Sequence, residues 1–275
     1  TAAGRVSVTP LRIDLTGALR PGVAMRDVTF RLLGDLGLQY ASYRALEIGG
    51  AFAASLSVEQ RLVLCNQGIE MGAKNAIVEP SGALREAMQR EGLSPPPPLR
   101  SDDGATFLER RTYDVSALEP LVAAHPRPDH VRPARELEGQ RLDMAWLGSC
   151  VGGRLEDLQA AAQVVRGRKL RVPFLVTPST QAILKSAMAD GTLATLVDAG
   201  VTVQPPGCGA CAGLHSGVAG PGDVVLATAT RNFRGRMGSP DAQVFLGSAY
   251  TVAAGAVAGR IVDPRELMSG RAAAC

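Results

Sequence analysis

Several features are missing from this 275-residue sequence, and each absence closes off a class of function. No run of five like charges occurs, and 29 Lys+Arg stand against 26 Asp+Glu, for a net charge of +3. A polybasic arm for nucleic acid or for an anionic membrane surface is therefore not indicated. The apolar, uncharged stretch Val244–Gly259 is too short to span a bilayer and is interrupted by Gly247, Ser248, Tyr250 and Thr251. The opening TAAGRVSV has neither a cationic region nor an apolar core of the secretory kind, which points to a cytoplasmic protein. Internal repeats are absent, and only the prolines form a low-complexity segment. Hydrophobic residues make up 46% and charged residues 20%, ordinary for a folded chain and too apolar for a disordered one. The five cysteines (Cys65, Cys150, Cys208, Cys211, Cys275) are an odd number in a long chain. A disulfide scaffold is disfavoured, and a reducing compartment with a metal or cluster fits better.

What is present reads as alternating strands and helices. Arg12–Leu15 predicts a strand and Asp27–Leu36 a helix with Val28, Leu32 and Leu33 on its apolar stripe. Ser57 and Gln60 form a capping box for a helix to about Gly72, and Asn75–Val78 predicts a buried strand ended by Pro80. The stretch GLSPPPPLRSDDG (92–104) predicts an extended polyproline spacer. A second polar, proline-bearing stretch, His125–Gly139, separates the halves again. Beyond it come strands at Asp143–Leu147, Leu170–Val176, Val201–Val203, Asp223–Thr228 and Val244–Leu246. Helices are expected at Leu155–Val165, after a Ser179 cap, and at Tyr250–Gly259. The fold class is α/β, in two domains over 1–135 and 136–275.

Three cysteines fall at predicted strand ends, where α/β sheets place ligands. Cys150 closes WLGSC before a glycine turn, and Cys208 and Cys211 form GCGAC. One CxxC without a second pair is compatible with zinc, with redox chemistry, or with small buried hydrophobes.

The flanking residues are more specific. CNQGIEMGAKNAIVEP (65–80), GSCVGGRLEDLQAAAQVVRGRK (148–169), PPGCGACAG (205–213), ATRNFRGRMG (229–238) and SAYTVAAGAVAGRIVDPREL (248–267) occur in one order. Together they resemble the large subunit of the aconitase superfamily, of the isopropylmalate isomerase and homoaconitase type. The resemblance runs from about Thr9 to Leu267 and implies three-layer α/β/α domains with mostly parallel sheets. It further implies a hydro-lyase that isomerises a hydroxy di- or tricarboxylic acid by dehydration and rehydration. In that family three cysteines hold a [4Fe–4S] cluster with one iron open to substrate, and Cys150, Cys208 and Cys211 stand at the matching positions. Arg231 and Arg236 match arginines that contact substrate carboxylates, a task suited to a permanently charged fork. Arg154, opening a helix, is a further candidate for anion binding. Asn66 and Glu70, one helical turn apart, match a pair near the departing water. Cys65 and Cys275 match no ligand, the first read as a buried helix residue, and His125, His130 and His215 are expected to be structural or superficial.

The sequence also departs from the family pattern. Where the family writes SCTN, this chain has Val151 and Gly152, and Thr230 replaces an asparagine before the first loop arginine. Each change removes a polar group from the surroundings of cluster or substrate. The DHxxPT-like and DSH-like motifs of the family do not occur in these residues. The resemblance therefore implies the middle and C-terminal portion of a large subunit, working with an N-terminal segment and a swivel-domain small subunit that supplies a catalytic serine. Three readings remain beside this one: a relative acting on a different acid in specialised biosynthesis, a cluster-free structural or RNA-binding relative, and a structural zinc site.

Overall fold

The computed structural model describes residues 9–95 and 100–269, so that most of the proline run and Cys275 lie outside the described residues. The chain divides into two compact units, one formed by residues 1–19 and 36–117, the other by 20–35 and 118–275.

In chain order the elements begin with β1 (Leu11–Thr16), α1 (Met25–Leu36), β2 (Ala45–Gly49), α2 (Ala51–Ser55) and α3 (Val58–Gly68). Then come β3 (Asn75–Val78), α4 (Gly82–Arg90), β4 (Glu109–Asp114), β5 (Leu121–Ala123), β6 (Val131–Pro133) and β7 (Met144–Leu147). The remainder is α5 (Leu155–Val165), β8 (Phe174–Val176), α6 (Gln181–Ala189), α7 (Thr192–Asp198), β9 (Thr202–Val203), β10 (Val224–Ala227), β11 (Gln243–Leu246), α8 (Ala249–Ala258) and α9 (Pro264–Met268).

The first unit is built on a four-stranded parallel sheet in the order β3-β2-β1-β4. Leu11, Ile13 and Leu15 alternate along β1 and are all buried. The helix α3 begins as its sequence requires: Ser57 Oγ accepts from the Gln60 amide at 3.2 Å, and Gln60 Oε1 accepts from the Ser57 amide at 3.1 Å. It ends earlier than expected, at Gly68, and Ile69–Met71 tighten into a 3-10 turn closed by Gly72 at φ 82°. The expected buried strand at Asn75–Val78 forms, but only Val78 is buried. As an edge strand it is covered less than the strands inside the sheet.

The second unit carries a seven-stranded sheet in the order β6-β5-β11-β10-β7-β8-β9, parallel except for β5 and β6. Residues 125–139, polar and proline-bearing, supply its edge strand β6 and a 3-10 turn at Ala134–Leu137. Side chains alternate between two apolar layers. Ala145, Leu147, Leu226 and Phe245 pack with α5, α6, α7 and α8 on one face. Trp146, Val225, Ala227, Val244 and Leu246 pack with Phe30 of α1 and with Ala210 and Cys211 on the other. The period of two in a strand thus produces a helical layer and a loop-bearing layer from the same residues.

Two expected boundaries move for identifiable reasons. β8 begins at Phe174 because Pro173 has no amide hydrogen, while Arg171 and Val172 donate to Ala256 O at the end of α8. The cap of α6 is Thr180, whose Oγ1 accepts from the Ile183 amide at 3.2 Å, and Ser179 is used elsewhere.

Asp27 ties α1 into this unit. Its carboxylate is fully buried and accepts from the amides of Leu121 and Ala24, each at 2.8 Å. Desolvation pushes its pKa up to about 7, against the pull of those two amides and of Ser248. A carboxyl whose folded pKa lies above its unfolded value near 3.9 binds more protons in the folded state between the two. The folded unit therefore loses stability as pH rises from about 4 to about 7. Urea unfolding across that window should follow this slope, and Asp27→Asn should flatten it. Asp27→Ala, which strands two buried amides, should cost about 2–4 kcal/mol at neutral pH.

Candidate functional site

Five strands of the second unit, β11, β10, β7, β8 and β9, run parallel and end at one edge. The chain moves outward from β7 through β8 to β9, then returns to β10 and moves outward the other way to β11. The reversal lies between β7 and β10, the place where doubly wound sheets open a crevice beyond their carboxyl ends. The loop after β7 carries Cys150 and Arg154, and the loop after β10 carries Arg231 and Arg236. The loop after β9 carries Cys208 and Cys211, the latter within a 3-10 turn at Gly209–Ala212.

The first two loops are stapled by hydroxyl groups. Thr228 Oγ1 accepts from the Gly148 amide and donates to Gly148 O, both at 2.8 Å. Ser149 Oγ donates to Thr228 O at 3.0 Å, and Ser179 Oγ donates to Ser149 O at 2.7 Å. Ser149 adopts φ 75°, a left-handed conformation uncommon for a side-chain-bearing residue, one position before Cys150. A β-carbon at Gly152 would overlap Cβ and Oγ1 of Thr228, so the threonine excludes a side chain at 152. The arginine loop is anchored by Asn232, fully buried, whose Nδ2 donates to Ala124 O at 3.0 Å and Val244 O at 3.1 Å. Arg26 of α1, also buried, stacks 4.5 Å over Phe30 and donates to Ala229 O.

Cys150, Cys208 and Cys211 are all free thiols, the first two exposed and the third buried. Cys150 is pushed above the ordinary thiol pKa by desolvation first and by the nearby Cys211 second, with Arg26 and Arg154 opposing. Cys211 Sγ lies 3.8 Å from Thr230 Oγ1 and 3.9 Å from Arg236 Nη2. Nε of Arg236 is buried and has no hydrogen-bond partner among the described residues. Among the described residues no three His, Cys, Asp or Glu side chains converge as the ligands of one metal ion would. Cysteine thiolates are the donors of an iron–sulfur cluster and equally of a structural zinc ion.

The remaining candidates fall in specific places. Arg154 is the N-cap residue of α5, and its guanidinium donates to Cys150 O at 3.0 and 3.1 Å. Its amide donates to Asp157 at 3.1 Å, which occupies the helix terminus where an anion was expected. Arg231 is half-buried, whereas Arg234 faces solvent and pairs with Asp241 at 3.0 Å. Asn66 and Glu70 lie in the first unit, the former half-buried on α3 and the latter buried in the 3-10 turn that follows. Cys65 is half-buried on α3. His125 packs beside β11, with its Nδ1 3.4 Å from the Val244 amide. Sequence reasoning did not find Thr228, Asn232 or Trp146, since each reads there as an ordinary strand or turn residue, and it read Ser179 only as a helix cap.

The mutual fit of positions 152 and 228 is directly measurable. Gly152→Ala should lower unfolding stability by about 1–3 kcal/mol through overpacking. In a chain already carrying Thr228→Gly, which lacks the opposing Cβ and Oγ1, the same change should cost less in thermal unfolding. Additive single effects would contradict the close approach.

The family described as Aconitase family (aconitate hydratase) matches residues 6–138 and 130–259. A probable methanogen homoaconitase large subunit from Methanosarcina mazei is 41% identical over 93% of this chain and 65% of its own length. A probable 3-isopropylmalate dehydratase large subunit from Methanothermobacter thermautotrophicus is 43% identical over 94% of this chain and 62% of its own. The homoaconitase large subunit of Thermus thermophilus is 42% identical over 94% and 61%, respectively. The chain thus spans a little over three-fifths of these relatives' length. Among solved structures, the holo-form of Thermococcus kodakaraensis aconitase X aligns with a TM-score of 0.46 at 14% identity, over 95% of this chain and 55% of that one. By its matched residues and its close relatives, this chain belongs to the aconitase family.

Proposed function

We propose that this chain supplies the cluster-bearing part of a hydro-lyase that isomerises a hydroxy di- or tricarboxylic acid of the isopropylmalate or homocitrate type by dehydration and rehydration. One observation carries the reading. Cys150, Cys211 and an arginine whose buried Nε has no partner among the described residues lie near one another beside the switch point of a parallel sheet, with Cys208 three residues before Cys211. Cys150, Cys208 and Cys211 would hold a [4Fe–4S] cluster. When bound, such a cluster keeps one iron without a protein ligand and so supplies a Lewis acid for a substrate hydroxyl and carboxylate.

The chain's own groups bind and orient. Arg236, beside Cys211, and Arg231, five residues earlier on the same loop, neutralise substrate carboxylates with charge-assisted hydrogen bonds. Arg154 braces the Cys150 loop through the Cys150 carbonyl, which leaves that loop stiff when a ligand enters. Asn66 and Glu70 order the departing water. Proton abstraction falls to a serine supplied by a swivel-domain small subunit, and an N-terminal segment completes the large subunit. The large-subunit names of the relatives support a heteromeric partner. No helix among the described residues is long and apolar enough to cross a membrane.

A related reading, a different acid in specialised biosynthesis, is favoured by the altered surroundings of the thiols. Thr230, where an asparagine is expected, approaches Cys211, and Thr228 fills the space a side chain at 152 would need.

Anaerobic reconstitution with iron and sulfide should give visible absorption and close to four irons and four sulfides per chain. Changing Cys150, Cys208 or Cys211 to Ser should abolish that absorption, and its persistence in any one variant would remove that residue from the ligand set. With partner chains present, Arg236→Lys should lower kcat/KM about tenfold or more for the accepted acid, the cost of losing a charged hydrogen bond. Screening isopropylmalate, homocitrate and other hydroxy acids separates the two substrate readings.

A further inference from the structure

We propose that Trp146 is the positioning residue that sets the gap between the two cysteine loops, and that its fluorescence reports whether a cluster occupies them. The proposal rests on the reading of Cys150, Cys208 and Cys211 as cluster ligands, and it concerns a residue outside that set. Trp146 is the single tryptophan of the chain and is completely buried on the loop-bearing face of β7. A β-carbon at Gly148 would overlap Cζ2 of its ring, and a β-carbon at Gly209 would stand 2.8 Å from that same atom. The benzo edge of the indole is therefore clamped between two backbones. Gly148 lies two residues before Cys150, and Gly209 lies between Cys208 and Cys211. One ring edge thus fixes the spacing of all three thiols.

The ring is also held beside that edge, through its indole nitrogen. Its indole N–H donates to Thr177 Oγ1 at 3.1 Å, and Thr177 Oγ1 donates to Gln204 Oε1 at 2.6 Å. Gln204 Nε2 then donates to Ser216 Oγ at 2.6 Å and to Ser216 O at 3.2 Å. Ser216 follows the second cysteine loop, so the hydrogen-bond chain ties strand, ring and loop into one unit. Thr177 and Gln204 are both buried, which makes each of these bonds costly to leave unmade. Close-packed interiors transmit displacements of a fraction of an ångström, and a metal centre is sensitive to the groups that orient its ligands. Iron–sulfur centres absorb broadly across indole emission, so a ring packed between the loops loses fluorescence when a cluster is loaded.

The test uses the full chain as wild type, Gly148→Ala, Trp146→Phe and the double variant. Circular dichroism and thermal melting first confirm that each cluster-free form is folded. Each is then reconstituted with iron and sulfide under anaerobic conditions and challenged with a chelator. Wild-type emission should fall in step with the growth of visible absorption. Gly148→Ala, which drives a methyl into the ring edge, should lose iron and sulfide about 10–100-fold faster. The double variant, whose smaller phenyl ring vacates that edge, should return towards the wild-type rate. Retention by Gly148→Ala at the wild-type rate, or equal loss from the single and double variants, overturns the spacing role alone. A wild type that takes up no cluster overturns the ligand reading and this proposal together.

Discussion

The hydroxyl of Thr228 holds the second unit's working edge together. It both accepts from and donates to the backbone of Gly148, so the carboxyl end of β10 is joined to the carboxyl end of β7 where the sheet's connectivity reverses. The Thr228 amide adds one backbone bond, to Trp146 O at 3.0 Å, beyond the last paired residues Ala227 and Trp146, and the hydroxyl carries the join on to Gly148. The Ser149 and Ser179 hydroxyls extend the same join to β8. Cys150 is therefore presented by a loop whose backbone is satisfied at nearly every turn, with one left-handed residue, Ser149, held in place by these contacts.

The opposite requirement applies to the side-chain atoms that face the crevice. Cys150 and Cys208 are exposed, Cys211 has only long contacts to Thr230 and Arg236, and Nε of Arg236 is buried without a partner among the described residues. A well-bonded backbone beneath a buried guanidinium nitrogen without a partner is the usual arrangement of a binding edge, where a ligand completes the set. The single indole below the two cysteine loops belongs to the bonded layer. It converts the packing of β7 into a fixed distance between loops that are about sixty residues apart in the chain.

Much of this was legible beforehand, for reasons that differ by element. α5 begins and ends where its apolar period and the preceding glycine turn indicate, and the Ser57–Gln60 cap starts α3 as written. Strands were recognised by short apolar runs, yet their ends moved where hydrogen bonding was decided elsewhere, as at β8, whose leading residues bond to α8. The edge position of β3 was invisible, because an apolar run does not state how many faces will be covered. The three cysteines and the arginine loop were found through collinear motifs. Their braces were not, because a threonine or tryptophan inside a strand looks like any other strand former.

Local chemistry in the chain determined which segments become strands and helices, where α3 is capped, and which residues bring thiol and guanidinium groups to strand ends. It also determined that glycine stands at 148, 152 and 209. Only the tertiary structure decided why glycine is needed there, since Trp146 and Thr228 occupy the space that side chains would fill. It likewise decided that α1, distant in sequence, docks on the second unit through a buried carboxylate accepting from Leu121. Secondary structure follows from interactions over a few residues, whereas the spacing of the thiols depends on contacts made across the sheet, and no periodicity in the chain records those.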